Sequence, residues 1–190
     1  MEAIRVLKKE HDLILQVIDL LGLSREYLEK GVIIPCAFYE KAVIFCRDFA
    51  DQFHHFKEEF LLFGLLAYKK EGKLDAVMGT LRYQHEQCSQ CVARIEKAIE
   101  ENRQYDEMTV TLILESVSVY VSLMRRHIYL ENTIFFPMAE KALSGEEKQS
   151  LADQFAYEEN RMDSKGSMWD EKRAIVDELS KMLAGEEEYG

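Results

Sequence analysis

The chain of 190 residues is long enough for one well-buried domain and too short for two of ordinary size. Two prolines and nine glycines in a sequence rich in Leu, Glu, Lys, Ala and Met favour helices over tightly turned β structure. A formal net charge of −11, with no offsetting cluster of Lys and Arg, excludes nucleic acid and an anionic membrane surface as partners.

Residues 1–12 are charged throughout and lack an apolar block followed by small residues, so they do not read as a secretory signal and a cytoplasmic chain is expected. Ile4, Val6, Leu7, Leu13, Ile14, Val17, Ile18, Leu21 and Leu28 recur at three-and-four spacing and predict a first helix over 2–30, stopping near Gly31. Pro35 is placed to open a second, through Phe45, Phe49, Phe53, Phe56, Phe60 and Phe63 to about residue 70, where Glu71 and Gly72 break it. A third helix spans 73–101, and in the polar stretch after it Asp106 is placed to cap a fourth, which runs to about Leu143.

The first half of that fourth helix, residues 109–121, is rich in β-branched side chains and by local propensity alone reads as a strand. Residues 108–124 are the most apolar stretch, but they contain Glu115 with several Ser and Thr and fall short of the roughly 20 apolar residues of a membrane span, so no transmembrane helix is expected. After Ser144-Gly145, residues 146–183 have helical periodicity with an interruption at Ser164-Lys165-Gly166, and 185–190 form an acidic tail. The expected fold is all-α: an up-down-up-down antiparallel four-helix bundle over 1–143, with 144–190 as a helical appendage and tail packed on it.

The five histidines, His11, His54, His55, His85 and His127, place at least one on each of the four helices. Helical residues four apart lie one turn above each other, so His54 with Glu58, and His127 with Glu131, each present an imidazole and a carboxylate to one point. The two segments form a weak repeat, with His at the start, Glu four on, Phe nine on and Gly64 or Pro137 ten on. Counting from the connecting turns puts His11, His54, His85 and His127 at similar depth, with mismatches of about two or three residues at roughly 1.5 Å each. A strand at about 3.3 Å per residue would carry His127 past that layer, which keeps the fourth element helical.

Imidazole nitrogens and carboxylate oxygens without a thiolate suit iron or manganese better than a cysteine-built structural zinc site. Two bridging carboxylates would partly neutralise two divalent cations and leave room for a water, hydroxide or oxo bridge and an open position for a small ligand.

Together, Glu10-His11, the His-His-x-x-Glu-Glu-x-x-x-Phe run from His54, the single His85 and the His-x-x-x-Glu from His127 followed by Phe-Pro resemble the hemerythrin-like, HHE cation-binding, family over about residues 4 to 140. The resemblance implies two iron ions (Fe2+/Fe3+) with an oxo or hydroxo bridge, held by His11, His54, Glu58, His85, His127 and Glu131, with Glu58 and Glu131 bridging. Oxygen-carrying members usually have a second histidine four residues after the one at His85, where this chain has Ser89. His55 is the candidate for the missing nitrogen, since the adjacent position binds metal in some relatives.

Some assignments stay open at this level. On an ideal helix the stripe from Phe45 to Phe60 lies opposite His54 and Glu58, so either the second helix is buried on two sides or His55 and Glu59 are the true pair. A doubly buried helix needs a cover for its Phe stripe, from Phe155, Tyr157 and Trp169 or from a second subunit in a homodimer. Cys36, Cys46, Cys88 and Cys91 read as reduced thiols rather than a disulfide framework, and Cys88-x-x-Cys91 is either packing or a redox pair beside the metals. Gln84, Glu86 and Arg126 flank ligands and could orient imidazoles or simply face solvent. The leading functional expectation is a non-enzymatic di-iron protein that binds or senses O2, NO or a related oxidant. The alternatives are a redox or repair factor for iron–sulfur centres, as in di-iron relatives, and an iron sensor or buffer.

Overall fold

The computed structural model describes residues 1–69, 72, 74–101, 106–163 and 166–184. Helix α1, Glu2–Glu29, ends where Gly31 takes a φ of 81°, letting its N–H reach the Leu28 carbonyl and the Val32 N–H that of Tyr27. This terminus satisfies carbonyls that the helix itself leaves open and turns the chain towards Pro35. The second rod, α2, starts after Pro35 as Cys36–Phe45, widens into π-helical turns over Cys46–His55 and Lys57–Leu62, and closes as Phe63–Leu66. Helix α3 is Asp75–Glu101.

The fourth rod, α4, runs as Glu107–Leu130, a π-helical Glu131–Phe135 and Phe136–Ala142, and Asp106 caps it by accepting from the Thr109 N–H at 2.8 Å. A reciprocal capping box between Ser144 and Glu147 starts α5, Gly145–Met162. The chain then turns through Asp163 and Gly166 into α6, Met168–Ala184. No strand occurs among the described residues, and the β-branched run in α4 is helical, so the fold is all-α. The expected ends of the second and third helices, at about 70 and 73, give way to Leu66 and Asp75. Lys70, Glu71, Lys73, residues 102–105, Ser164, Lys165 and the acidic tail lie outside the described residues.

Rod α4 lies along α1 and α3, α2 lies against α3, and α5 and α6 pack on α1 and α2. The expectation that no helix could span a membrane needs correction on length and composition, since Glu107–Ala142 contains an 18-residue stretch with mean hydropathy 1.4. Glu115 with the Ser and Thr residues of 108–124 lowers that mean without bringing it below the range of membrane-spanning helices, a range that buried core helices share. In this fold the same rod carries the buried His127 and Glu131 into the interior between its neighbours.

The π turns also correct the ideal-helix projection of α2. With hydrogen bonds spaced i to i+5, the angular step between consecutive residues shrinks, so neighbours point more nearly the same way. His54, His55 and Glu58 are all buried, Phe45, Phe49 and Phe53 are buried as well, while Phe60 is 68 % exposed and leaves the stripe. Trp169 of α6 meets the Phe49 ring edge-on at 5.4 Å and Phe155 of α5 is buried, but Tyr157 faces solvent and covers nothing. Phe49 also packs against Phe45 and Phe53. Phe49→Ala is expected to cost about 3–5 kcal/mol, read as a lower denaturation midpoint, because the rings around it cannot all collapse into the void.

The apolar interior is divided. One cluster joins Phe38 to Phe53 with Ile14 to Leu28, Cys88 to Ile99 and Ile113 to Ile128. The other joins Ala3 to Leu7 with Leu62, Phe63, Leu66, Leu81, Phe135, Phe136, Leu151 and Phe155. The histidines and their carboxylates lie between these stretches of chain on α1, α2, α3 and α4.

Candidate metal centre

Four rods contribute to the buried polar layer: His11 from α1, His54, His55 and Glu58 from α2, His85 from α3, and His127 and Glu131 from α4. Every one of these side chains is buried. They form two groups whose ligand atoms lie within 4.8 Å of one another: His55, Glu58, His85 and His127 in one, His11, His54, Glu58 and Glu131 in the other. Glu58 belongs to both. Glu131 lies close to the first group too, its Oε2 being 3.1 Å from Nε2 of both His127 and His11.

The imidazoles share one orientation. At each ring Nδ1 is engaged by an outer partner: Asn132 Oδ1 at His11 (3.2 Å), Glu10 Oε2 at His54 (2.8 Å), Asp51 Oδ1 at His55 (3.2 Å), Glu59 at His85 and Gln84 Oε1 at His127 (3.0 Å). Carboxylate and amide oxygens accept, so Nδ1–H donates and the Nε2 lone pair is left facing inward. Nε2 of His11, His54 and His55 and both oxygens of Glu58 and of Glu131 are buried without a hydrogen-bond partner. Nε2 of His85 and His127 lie 3.1 Å from each other and face the same carboxylates, His85 at 3.5 Å from Glu58 Oε2 and His127 at 3.1 Å from Glu131 Oε2. Buried polar atoms are almost always satisfied, and this many convergent lone pairs match what a cation requires.

Charge in the layer is arranged to the same effect. Burial, then the neighbouring Glu131, pushes the Glu58 carboxyl up to about 8. Burial also opposes ionisation of Glu131, but the facing His127 and His11 hold it well below the usual range. Burial would lower His85, yet Glu58 and Glu59 carry it to about 9. Burial lowers His55 to about 4 and lowers His54 and His127 as well. Burial would lower His11 too, but Glu131 raises it, so the layer keeps His54, His55 and His127 neutral as ligands and retains protons on Glu58 and His85 that a cation would displace.

Glu58 is buried and belongs to both groups, while Glu59 is 26 % exposed, lies against His85 Nδ1 and faces Arg82. Of the flanking residues, Gln84 orients His127, whereas Glu86 pairs with Gln90 at the surface and Arg126 is exposed. Ser89, at the position where oxygen carriers have histidine, donates to Asp51 Oδ2 at 2.9 Å and so steadies the carboxylate that holds His55. Glu10, Asp51, Glu59 and Asn132 carried no signal as outer partners beyond their proximity to a histidine in sequence or on a helix. The cysteines form no disulfide, and burial raises the thiols of Cys88 and Cys91 above the ordinary range, the state of packed rather than reactive cysteines.

A family model described as the hemerythrin HHE cation-binding domain matches residues 2–139. The chain belongs to that family. Its HHE domain thus spans α1 to α4 and ends before α5, and the seven inward-facing side chains all fall within it. Among curated proteins, the chain is similar to uncharacterized proteins of Mycobacterium bovis and of two strains of Mycobacterium tuberculosis, each 23 % identical over 155 residues and 82 % of this chain. The chain spans about 60 % of the length of those relatives. No solved structure matches it significantly. An HHE domain with two convergent His/Glu groups is a cation-binding protein.

Proposed function

We propose that this HHE protein holds two iron ions, one in each His/Glu group, and uses them to bind or sense O2, NO or a related oxidant. The observation that carries this reading is the set of buried Nε2 and carboxylate atoms that converge without hydrogen-bond partners. Imidazole and carboxylate donors without thiolate favour iron over structural zinc. Glu58, with access to both groups, and Glu131 beside it would bridge, and the antiparallel four-helix arrangement of α1 to α4 would hold the layer while α5 and α6 cover it. Bound iron would supply the redox-active, ligand-accepting centre. The protein's own residues orient the five imidazoles through Nδ1 and exclude bulk water from the layer. The His11 and His54 group has two imidazoles against three in the other, which leaves it the place for an exogenous diatomic ligand. We place this activity in the cytoplasm.

In this proposal His55 is a ligand, supplying the third imidazole of its group in place of the histidine that oxygen carriers have at the Ser89 position. His55→Ala is expected to lower iron content from about two to about one per chain while Ser89→Ala keeps both and loosens them, since outer-shell changes cost about 10–100-fold in affinity. Iron retained by His55→Ala at the wild-type level would remove His55 from the ligand set.

Metal analysis and ultraviolet-visible spectra before and after anaerobic reduction and exposure to O2 and NO test the function. About two irons with a reversible spectral response support gas binding or sensing. A chain that takes up no iron, or a single zinc, ends the proposal. The unsatisfied layer also favours a second reading, iron sensing through metal-dependent stability, which the melting experiment described in the Discussion separates from ligand binding.

A further inference from the structure

Lys57 is fully buried in α2, one residue before Glu58, and it does not point into the layer. Its ammonium lies 3.8 Å from the centre of the Phe53 ring and contacts two carboxylates from different helices, Glu10 of α1 and Glu159 of α5, the latter at 2.8 Å. Glu10 is itself fully buried, and its other oxygen is the partner of His54 Nδ1 at 2.8 Å. Four side chains from three helices thus form one line, Glu159 to Lys57 to Glu10 to His54. The first of them lies beyond residue 139, where the family match ends.

A buried lysine is costly unless its charge is met, and here it is met from both ends. The arrangement fixes the Glu10 carboxylate by an ionic contact on one oxygen and leaves the other to accept from His54. Glu10 could otherwise swing away on its flexible stem. Glu159, 30 % exposed, ties the inner pair to the surface of α5.

We propose that Lys57 is a positioning residue for the His11 and His54 half of the centre, and that α5 takes part in metal retention through Glu159. This inference rests on the two-metal reading above. The relay holds the His54 ring with Nε2 inward, so breaking it loosens that half and spares the half built on His55, His85 and His127, whose outer partners are Asp51, Glu59 and Gln84.

The test is Fe2+ titration, with Co2+ as the optical probe, of the full-length wild type, Lys57→Met, Lys57→Arg and Glu159→Gln, with metal-free melting curves as a fold control. Lys57→Met is expected to bind one ion as the wild type does and the second about 10–100-fold more weakly, with a changed Co2+ spectrum. Lys57→Arg, which can still bridge the two carboxylates, is expected to recover most of that affinity, and Glu159→Gln, at the surface end, to weaken the same ion less. A merely structural lysine would shift the melting curve and leave both affinities and the spectrum unchanged, which overturns the proposal. Should Lys57→Met fail to fold, Glu159→Gln decides alone: wild-type affinity for both ions overturns the relay. A wild type that takes up neither metal removes the two-metal reading and the relay together, whereas two ions bound alike in wild type and variants remove the relay only.

Discussion

Glu58→Gln is expected to abolish loading of both metals while leaving the metal-free fold intact or slightly more stable. Glu58 is the side chain common to the two His/Glu groups, so one substitution removes a donor from each. It also removes a buried carboxyl that burial and the neighbouring Glu131 carboxylate keep from ionising. A neutral amide of the same shape removes the cost of ionising a second carboxyl beside Glu131, as expected where residues retained for function burden the fold. Metal content measured beside a thermal melt checks this. Two irons retained by the variant would show that Glu58 does not bridge, and a collapsed metal-free fold would show that it is structural.

The second large effect is metal removal. The ligands come from four rods, so a cation bound only by the folded state stabilises it by mass action, about 4 kcal/mol at a thousand times its dissociation constant. At about 2–4 °C per kcal/mol for a chain of this size, chelation should lower the midpoint by about 8–16 °C. The difference should widen with pH. The Glu58 carboxyl, at about 8 in the fold against 4.5 ordinarily, gives the metal-free protein a contribution that is full below 4.5 and lost as pH rises through 8. A bound cation takes the place of that proton and removes the loss. His55, at about 4 against 6.5, gives the metal-free protein a contribution that is present above 6.5 and lost as pH falls through 4, outside the window of the Glu58 effect. Melts with and without Fe2+ between pH 6 and 9 read the widening gap, and a midpoint indifferent to metal would also exclude the iron-sensing reading.

Much of the site was legible because it is written in local periodicity. His54 with Glu58 and His127 with Glu131 sit four apart, and counting from Gly31, Gly72 and Asp106 levels them with His11 and His85. The π turns were not legible, since an i to i+5 step is chosen by what packs around α2 and α4. Without them the Phe stripe seemed to compete with His54 for the interior, and a choice between two Glu/His pairs had to be left open. The outer partners were obscure for another reason. Asp51, Glu59 and Gln84 are ordinary polar residues on helix flanks, indistinguishable in sequence from solvated ones such as Glu86 and Arg126. Lys57 and Glu159 are 102 positions apart, with no motif joining them.

The division of the apolar interior has a consequence for cooperativity. The two clusters share no buried side chain, and what lies between them is a slab of buried imidazoles and carboxylates with few apolar contacts of its own. Cooperative unfolding depends on contacts that make opening one region costly for the next. A cation spanning α1 to α4 would act as a keystone, fusing two foldons that could otherwise open separately into a single cooperative unit.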